Sequence, residues 1–193
     1  MSPTTTMNED PVAAVRAFHE AFCHPVNQPQ VGLERLPRRA KWITEELAEL
    51  IEAVLEDDVV AIADAIADAL YFCYGTRVEL GLKAETIHPG IETDPDVRIT
   101  MAWQSAGVLA TQGMDGDVAT VGPILSQIEY HLISLAASFD LPITEVLEQV
   151  HEANMAKLGP DGAVVLGPDG KVVKPAGWVG PEQRIADLLG VAR

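Results

Sequence analysis

Apolar side chains recur along most of the chain at helical spacing, and short polar or proline-containing stretches separate the runs. The first ten residues, 1–10, lack this pattern and are expected to be disordered. Two PDG turns near the C-terminus give a weak hairpin signal. The sequence thus predicts an all-α fold, an antiparallel helical bundle over residues 11–180 that ends in a short irregular tail. The predicted helices cover residues 11–23, about 36–56, about 58–82, about 97–114, about 118–139, the stretch from about Pro142 to Leu158, and the closing segment EQRIADLLG.

One predicted helix is almost wholly apolar yet contains two aspartates. The stretch VVAIADAIADALYFCYGT, residues 59–76, carries Asp64 and Asp68 four positions apart and has no basic residue within it. Burying a carboxylate without a partner is costly, so something must neutralise this pair. The stretch is about as long as a membrane span, but charged side chains near its middle argue against insertion into a bilayer. We therefore expect a buried helix, no membrane partner, and a neutralising group beside the aspartates.

The preceding predicted helix brings further carboxylates towards this pair. In ITEELAELIEAVLE the apolar positions form one arc at 100° per residue, and Glu46 and Glu49 lie on its border. A short turn joins the two helices, so they should pack antiparallel and set Glu45, Glu46 and Glu49 opposite the two aspartates. So many carboxylates in one cleft cannot all stay ionised unless cations neutralise them. Oxygen ligands without His or Cys favour Mg²⁺, with Mn²⁺ as the alternative. The other interpretation of these glutamates is an acidic helix face exposed to solvent.

The composition narrows the class of partner. The 193 residues carry a net charge of −16 and are 48% hydrophobic and 5% aromatic, which favours a helical folded domain. An acidic surface argues against nucleic acid as a partner, although divalent cations can hold a nucleotide on such a surface. Cys23 and Cys73 are interpreted as reduced thiols, and MSPTTTMNED lacks the features of a signal peptide, so a cytoplasmic location is expected.

The middle of the chain resembles an earlier part of it. With an offset of 59 positions and no gaps, residues 38–87 can be laid on residues 97–146, so that EDDVVA falls on DGDVAT and Tyr71 on Tyr130. Identity is low, but helix lengths and turn positions match. We interpret the pair as a duplicated two-helix unit within one chain. The alternative is an unrelated helical hairpin over 97–139.

The motif Glu45-Glu46-x-x-Glu49, followed by a helix with Asp68, resembles the EExxE and ExxD signature of the MazG type of all-α nucleoside triphosphate pyrophosphohydrolases. The segments VRAFHEAFCHPVNQP, DAIADALYFCYGTRVELGL, EVLEQVHEANMAKLGPDG and DGKVVKPAGW look like a branch related to phosphoribosyl-ATP pyrophosphohydrolase. The resemblance covers about 11–87 and 141–180, and the part between looks like an insertion. One departure stands out, since the Glu of ExxD would fall at Ala65.

The resemblance implies Mg²⁺-dependent hydrolysis of a nucleoside triphosphate to the monophosphate and pyrophosphate, with removal of unwanted nucleotides as the biological role. Glu46, Glu49 and Asp68 would be metal ligands, and Asp64 could take the place of the missing Glu as the fourth. Glu45 would be the general base or would orient a ligand.

Further residues are expected to bind the substrate. The segment HEANMAKL resembles the family's Asn-x-x-Lys element, which points to Asn154 and Lys157, and Lys174 and Tyr71 complete the expected set. Arg39 and Lys41 are weaker phosphate candidates. Stacking on a base is open to Phe18, Trp42, Tyr71 and Tyr74.

In the second repeat, 97–146, the ligand positions are occupied by Gln104, Ser105, Val108 and Gln127, so that half would be inactive. Since MazG-type proteins generally work as dimers of two-helix units, we expect a pseudo-dimer within one chain, with 142–180 as its C-terminal helix and tail, and a homodimer as a further expectation. Two other functions stay open, phosphoribosyl-ATP pyrophosphohydrolysis and non-catalytic nucleotide binding or scaffolding. A di-iron site at Glu148 and His151 is a minor alternative.

Overall fold

The computed structural model describes residues 6–91, 94–112, 117–158, 164–168 and 170–192. Within these residues all regular structure is helical apart from one isolated antiparallel bridge, between Leu166 and Val172. The predicted all-α bundle is therefore confirmed. The helices are α1 (Pro11–Ala21), α2 (Pro29–Leu55), α3 (Val59–Leu80), α4 (Pro95–Gln112), α5 (Val118–Ser138), α6 (Ile143–Met155) and α7 (Glu182–Leu189).

Aspartate caps set where three helices begin. The side chain of Asp58 accepts hydrogen bonds from the backbone N–H groups of Val60 and Ala61 at the start of α3. Asp10 caps α1 in the same way, and Asp117 caps α5. At the far end of α3, Gly81 adopts the left-handed conformation (φ 73°), which ends the helix because most side chains resist this conformation. The sequence therefore fixes both ends of the helix that carries Asp64 and Asp68.

The second helix begins earlier than the sequence predicts. We expected a start near residue 36, with Pro37 in the first turn, but α2 begins at Pro29 and contains Pro37 in its interior. Pro37 lacks a backbone N–H, so one helical hydrogen bond is lost there. Tertiary packing accounts for the extra turns, because Leu33 and Leu36 are buried in the core.

The core forms around α3, which packs against α1, α2, α5, α6 and α7. The most extensive helix pairs are α2 with α3 and α4 with α5, so the predicted antiparallel hairpins are present. By length and composition α3 is the one described helix that could cross a membrane, but 72% of its apolar window is buried inside the protein. The same composition is typical of the central helix of a bundle.

The segment before α1 differs from the expected disorder of residues 1–10. Met7 is buried, and its backbone N–H donates to Oε2 of Glu148 at 2.8 Å. These contacts hold residues 6–10 against α6, which explains why a stretch without helical pattern is ordered. Residues 1–5 lie outside the described part of the chain.

The second PDG turn closes a small hairpin after α6. The N–H of Val173 donates to the carbonyl of Val165 at 2.8 Å, and the N–H of Gly167 donates to the carbonyl of Lys171 at 2.8 Å. The first PDG turn lies outside the described residues. This hairpin is the part of the tail that approaches the site described next.

Candidate active site

A cavity of about 340 Å³ lies between α1, α2, α3, α6 and the tail, and its two ends differ in chemistry. One end is lined by carboxylates and lysines and the other by aromatic rings, histidines and one arginine. The cavity brings together eight of the nine predicted site residues: Glu46, Glu49, Asp64, Asp68, Tyr71, Asn154, Lys157 and Lys174.

The acidic end is built by two antiparallel helices. Glu46 and Glu49 project from α2, and Asp64 and Asp68 project from α3. Their spacings of three and four residues place each pair on one helix face. Ala65, where the family signature has Glu, is instead buried in the hydrophobic core. Asp64, one position earlier, lines the cavity, whereas position 65 does not.

Burial and mutual repulsion raise the pKa of three of these carboxyls. Burial is the main cause of the pKa of about 8 for Glu46, and the charges of Asp68 and Glu49 add to it. The pKa of Asp64 is raised to about 8, again by burial first and by Asp68 second. Burial raises the pKa of Asp68 to about 6 despite the nearby Lys157, which lowers it. The cluster therefore holds protons near neutral pH and stabilises added positive charge.

Three lysines supply positive charge at this end of the cavity. Lys157 donates to Oδ1 of Asn154 at 2.6 Å, and its Nζ lies 5.2 Å from the ring centre of Trp178. Nζ of Lys174 lies 4.5 Å from the same ring, and Trp178 is held in turn by a hydrogen bond to the carbonyl of Ala153. Two ammonium groups thus flank one indole beside the carboxylates.

Lys171 is the third lysine, and the sequence analysis missed it. Its Nζ lies 3.0 Å from Oε2 of Glu45 and 3.6 Å from Oε1 of Glu46. Little in the sequence indicated Lys171, because this residue lies in a hairpin and not on a helix face with a periodic pattern. It does share the DGKVVKPAGW segment with Lys174.

Glu45 lies apart from the other predicted residues. It does not line the cavity, its side chain is 38% exposed, and it pairs with Lys41 at 2.9 Å as well as with Lys171. A hydrogen bond from Lys41 is the main reason that the pKa of Glu45 is lowered. A carboxylate with a lowered pKa is a weak base, so this geometry suits positioning of Lys171 better than proton transfer.

The other end of the cavity is aromatic and contains a buried arginine. Phe18, His24, Trp42 and Phe72 contribute rings to its wall. The guanidinium of Arg39 lies 5.3 Å from the ring centre of Trp42, and its Nη2 donates to the carbonyl of Phe72 at 2.8 Å. Planar aromatic surface with a flat cation is suited to stacking on a nucleobase.

His19 lies beside Arg39 and was not singled out from the sequence. Nδ1 of His19 lies 2.9 Å from the carbonyl of Pro25, so this nitrogen carries the proton and Nε2 is an acceptor. Burial and the charge of Arg39 lower its pKa to about 3. The imidazole is therefore neutral at physiological pH. Of the other stacking candidates, Tyr74 is buried in the core and does not line the cavity.

Tyr71 occupies the wall between the two ends. Its hydroxyl lies 3.0 Å from Nδ1 of His151, and burial raises its pKa well above the usual range, so the phenol stays neutral. Glu148 bonds the backbone of Met7 and not His151. Among the described residues these two side chains do not belong to a group of three His, Cys, Asp or Glu that could hold a metal, so the minor di-iron alternative gains no support.

The acidic end fits a hard divalent cation in its chemistry. All four carboxylates offer oxygen, and Oδ1 of Asp64 is buried without a hydrogen-bond partner. Among the described residues, however, no three His, Cys, Asp or Glu side chains already converge as a metal-binding group. Lys171, 3.6 Å from Oε1 of Glu46, is a positive charge that contacts this end in the structure.

Comparison with known proteins defines the class. Residues 15–93 match a family of the all-α MazG-like nucleoside triphosphate pyrophosphohydrolase superfamily, as the motifs predicted. The matching family is described as phosphoribosyl-ATP pyrophosphohydrolase, and the matched residues 15–93 include α2, α3 and all but the first four residues of α1. The chain is also 28% identical over 177 residues to the uncharacterised protein L479 of Acanthamoeba polyphaga mimivirus, across 75% of this chain and 70% of that protein. No solved structure matches the chain.

Proposed function

We propose that the chain hydrolyses a nucleoside triphosphate between the α and β phosphates and releases the monophosphate and pyrophosphate. Membership of a pyrophosphohydrolase superfamily supports the reaction class. The observation that carries the proposal is that one cavity joins a carboxylate and lysine end to an aromatic end. A triphosphate and a base have these two complementary chemistries.

The acidic end would hold Mg²⁺, with Mn²⁺ as the alternative, through Glu46, Glu49, Asp68 and Asp64. When bound, the ion would screen the carboxylates and polarise the phosphate oxygens. In the reaction, water adds to the α-phosphorus and loses a proton to the solvent, while the bond from that phosphorus to the bridging oxygen breaks and pyrophosphate leaves with the bonding electrons.

The remaining residues bind and orient the substrate. Lys157 and Lys174 are within reach of phosphate oxygens and would stabilise the charge of the leaving pyrophosphate. Asn154 and Tyr71 lie between the two ends and would contact the sugar. Glu45 keeps a role outside the cavity, where its carboxylate holds Lys171.

Pyrophosphate release from a panel of dNTPs, NTPs and phosphoribosyl-ATP tests this function, with Mg²⁺, with Mn²⁺ and with chelator. We expect metal-dependent release that Glu49→Gln lowers by roughly 100-fold or more, since it removes a ligand. Glu52→Gln is the matched control, because Glu52 lies on the same helix but is exposed and off the cavity. Lack of release from every nucleotide, with folded protein, would exclude an enzyme of this class.

A second candidate substrate is phosphoribosyl-ATP itself, and the description of the matching family favours it. The same bond is cleaved, so the site chemistry does not separate the two. Rescue of a histidine auxotroph by this chain would support phosphoribosyl-ATP as the substrate. Failure of the rescue with good expression would favour nucleoside triphosphates as the substrates.

A non-catalytic nucleotide-binding protein is the candidate from another class. Ala65 and the lack of three converging carboxylates among the described residues favour it. Tight binding of nucleotide without pyrophosphate release would establish it.

We further propose that α4–α5 is a degenerate copy of α2–α3. At the offset of 59, the helix cap Asp58 falls on the cap Asp117, and the buried Arg39 falls on the buried Arg98. Each of these two arginines packs against an aromatic ring, with Arg98 5.0 Å from the ring centre of Tyr130. These matches support a pseudo-dimer of one active and one inactive unit.

In the inactive unit, the surface that corresponds to the cavity of the active unit is covered by the chain around Gly90. The N–H of Gly90 donates to Oγ of Ser134 at 2.7 Å, and a Cβ added at Gly90 would lie 2.6 Å from Nη2 of Arg98. Titration with a non-hydrolysable nucleotide should therefore give one site per chain, and two sites would contradict the proposal. Sedimentation equilibrium would test whether the chain forms the expected homodimer. Imaging of a tagged chain would test the expected cytoplasmic location.

A further inference from the structure

Lys171 makes contacts that no other lysine of the cavity makes. Its ammonium pairs with two carboxylates from adjacent positions of α2, Glu45 at 3.0 Å and Glu46 at 3.6 Å. It also lies 5.2 Å from the ring centre of Phe72, at the border between the acidic and aromatic ends. Lys157 and Lys174 instead flank Trp178. Lys171 is thus the cavity lysine that contacts both Glu45 and Glu46 on α2.

The position of Lys171 is set by a hairpin and not by the helices that carry the carboxylates. Backbone bonds between residues 165–167 and 171–173 form the hairpin, and Gly170 at its turn packs near the indole of Trp42. The ammonium is therefore delivered on a separate element from across the cavity, and its side chain is 36% exposed. Withdrawal of Lys171 from the carboxylates requires no change in the packing of α2 on α3.

We propose that Lys171 is an internal counter-ion of the ligand-free site, which a divalent cation displaces and which then binds the triphosphate. The proposal rests on the proposed function, since it assigns the cation to the acidic end. The carboxylates need positive charge in either state, and Lys171 and the cation compete for Glu46. Competition makes the two bindings reciprocal, so removal of the lysine strengthens binding of the cation and binding of the cation releases the lysine.

Binding of Mn²⁺ to nucleotide-free protein, followed by the paramagnetic resonance signal of free Mn²⁺, tests the competition without catalysis. Lys171→Met should bind Mn²⁺ about five- to tenfold more tightly than the wild type, because one competing charge near the ligands is removed. Lys171→Arg keeps the charge and should stay within about twofold of the wild type. Lys41→Met is the matched control, since Lys41 pairs with Glu45 alone from the solvent side, and it should also stay within about twofold.

A second measurement separates a counter-ion from a lysine that only repels cations. In the presence of Mg²⁺ and a nucleotide with a non-hydrolysable α–β bond, Lys171→Met should bind the nucleotide about tenfold more weakly. Opposite changes in Mn²⁺ and nucleotide affinity are the signature of the exchange. Equal Mn²⁺ affinity in wild type and Lys171→Met would overturn the proposal, as would unchanged nucleotide affinity.

Hydrogen exchange provides a readout that does not depend on the variant folding well. Added Mg²⁺ should speed exchange of the hairpin amides of Gly167 and Val173 in the wild type, while amides of α3 keep their protection. If Mn²⁺ binds and pyrophosphate release depends on it, but these amides do not respond, the Lys171 proposal alone is wrong. If the wild type binds no Mn²⁺, both this proposal and the metal site of the proposed function are wrong.

Discussion

Arg77 of α3 and Glu129 of α5 form a two-pronged ion pair in the interior of the bundle. Nε of Arg77 donates to Oε1 of Glu129 at 2.7 Å, and Nη2 donates to Oε2 at 2.9 Å. Both residues are 1% exposed. The remaining donors of the guanidinium reach Oγ of Ser126 and the carbonyl of Lys83. The pair joins the helix that carries the aspartates to the second helical hairpin.

Removal of one partner of this pair should destabilise the protein strongly. Arg77→Met leaves the Glu129 carboxylate buried without its cation, and we expect a loss of about 3–5 kcal/mol of unfolding free energy in urea denaturation. The double variant Arg77→Met/Glu129→Leu removes both charges and should recover most of the loss. A single variant that loses less than about 1 kcal/mol would show that the pair is not structurally important.

Gly75 leaves the space that Arg39 and His19 occupy behind the aromatic end. A Cβ at this position would meet Nη2 of Arg39 and lie 2.9 Å from Nε2 of His19. Gly75→Ala should therefore cost about 1–3 kcal/mol of unfolding free energy and weaken nucleotide binding, because buried Arg39 has little room to move. Gly107→Ala is the control, since nothing lies within 4 Å of the added methyl, and it should stabilise α4 by about 0.5–1 kcal/mol. Equal stability of the two variants would contradict this account.

The buried histidine predicts loss of stability in acid. The pKa of His19 is lowered to about 3, whereas a histidine in the unfolded chain titrates near 6.5. Between these values the unfolded chain binds a proton that the folded one does not, so the His19 contribution is complete above pH 6.5 and declines as the pH falls towards 3.

Unfolding free energies measured between pH 4.5 and 6.5 test this contribution. His19→Asn should reduce the slope by up to about 1.4 kcal/mol per pH unit relative to the wild type. His88→Asn, at an exposed histidine, is the control. The same slope in wild type and His19→Asn would mean that His19 binds its proton in the folded state.

Binding of a divalent cation at neutral pH should release protons. Glu46 and Asp64 each have a pKa of about 8, so both hold protons at pH 7 that a cation must displace. Calorimetry in two buffers of different ionisation enthalpy should show release of about one to two protons per cation at pH 7, and much less at pH 9. Binding without proton release at pH 7 would place the cation away from these two carboxylates.

The same pKa values predict how metal-free protein responds to alkali. A carboxyl whose folded pKa is raised destabilises the folded state as the pH rises from its unfolded value towards about 8, because the folded chain must then ionise it. In the absence of metal, Glu46→Gln should therefore have a higher free energy of unfolding than the wild type at pH 8.5. At pH 4.5 the two should differ less, and an unchanged difference would contradict the raised pKa.

The hydrophobic pattern was sufficient for the helices because burial and helical period coincide along this chain. Asp64 and Asp68 stood out in the sequence because carboxylates interrupt an apolar run, and Glu46 and Glu49 stood out because they lie on the border of the apolar arc of their helix. Local rules failed where distant parts of the chain decide the structure. Leu33 draws α2 seven residues beyond its expected start, from about 36 to Pro29, and the tail brings Lys171 to Glu45 across 126 positions.

His19 and Glu45 show the two other limits of a sequence. His19 lies on a short amphipathic helix where a histidine carries no local sign of function, and it becomes part of the site because Gly75 makes room for it. Glu45 shares the motif with Glu46, yet one step of 100° around the helix turns it away from the cavity towards Lys41. A motif fixes which residues are close in sequence, and packing decides which of them face a ligand.

The unlike ends of the cavity also matter for inhibitor design. A planar heterocycle would stack on the cavity side of the Trp42 and Phe72 ring pair, and a flexible arm ending in an amine would reach Glu46 and Asp64 from the same molecule. Such a compound would supply its own positive charge and would need no metal in order to bind. In such a compound the amine replaces the metal cation and not the phosphates. The selectivity of the compound would therefore come from the distance between its ring and its amine, which must match the distance between the two ends of this cavity, and not from metal chelation.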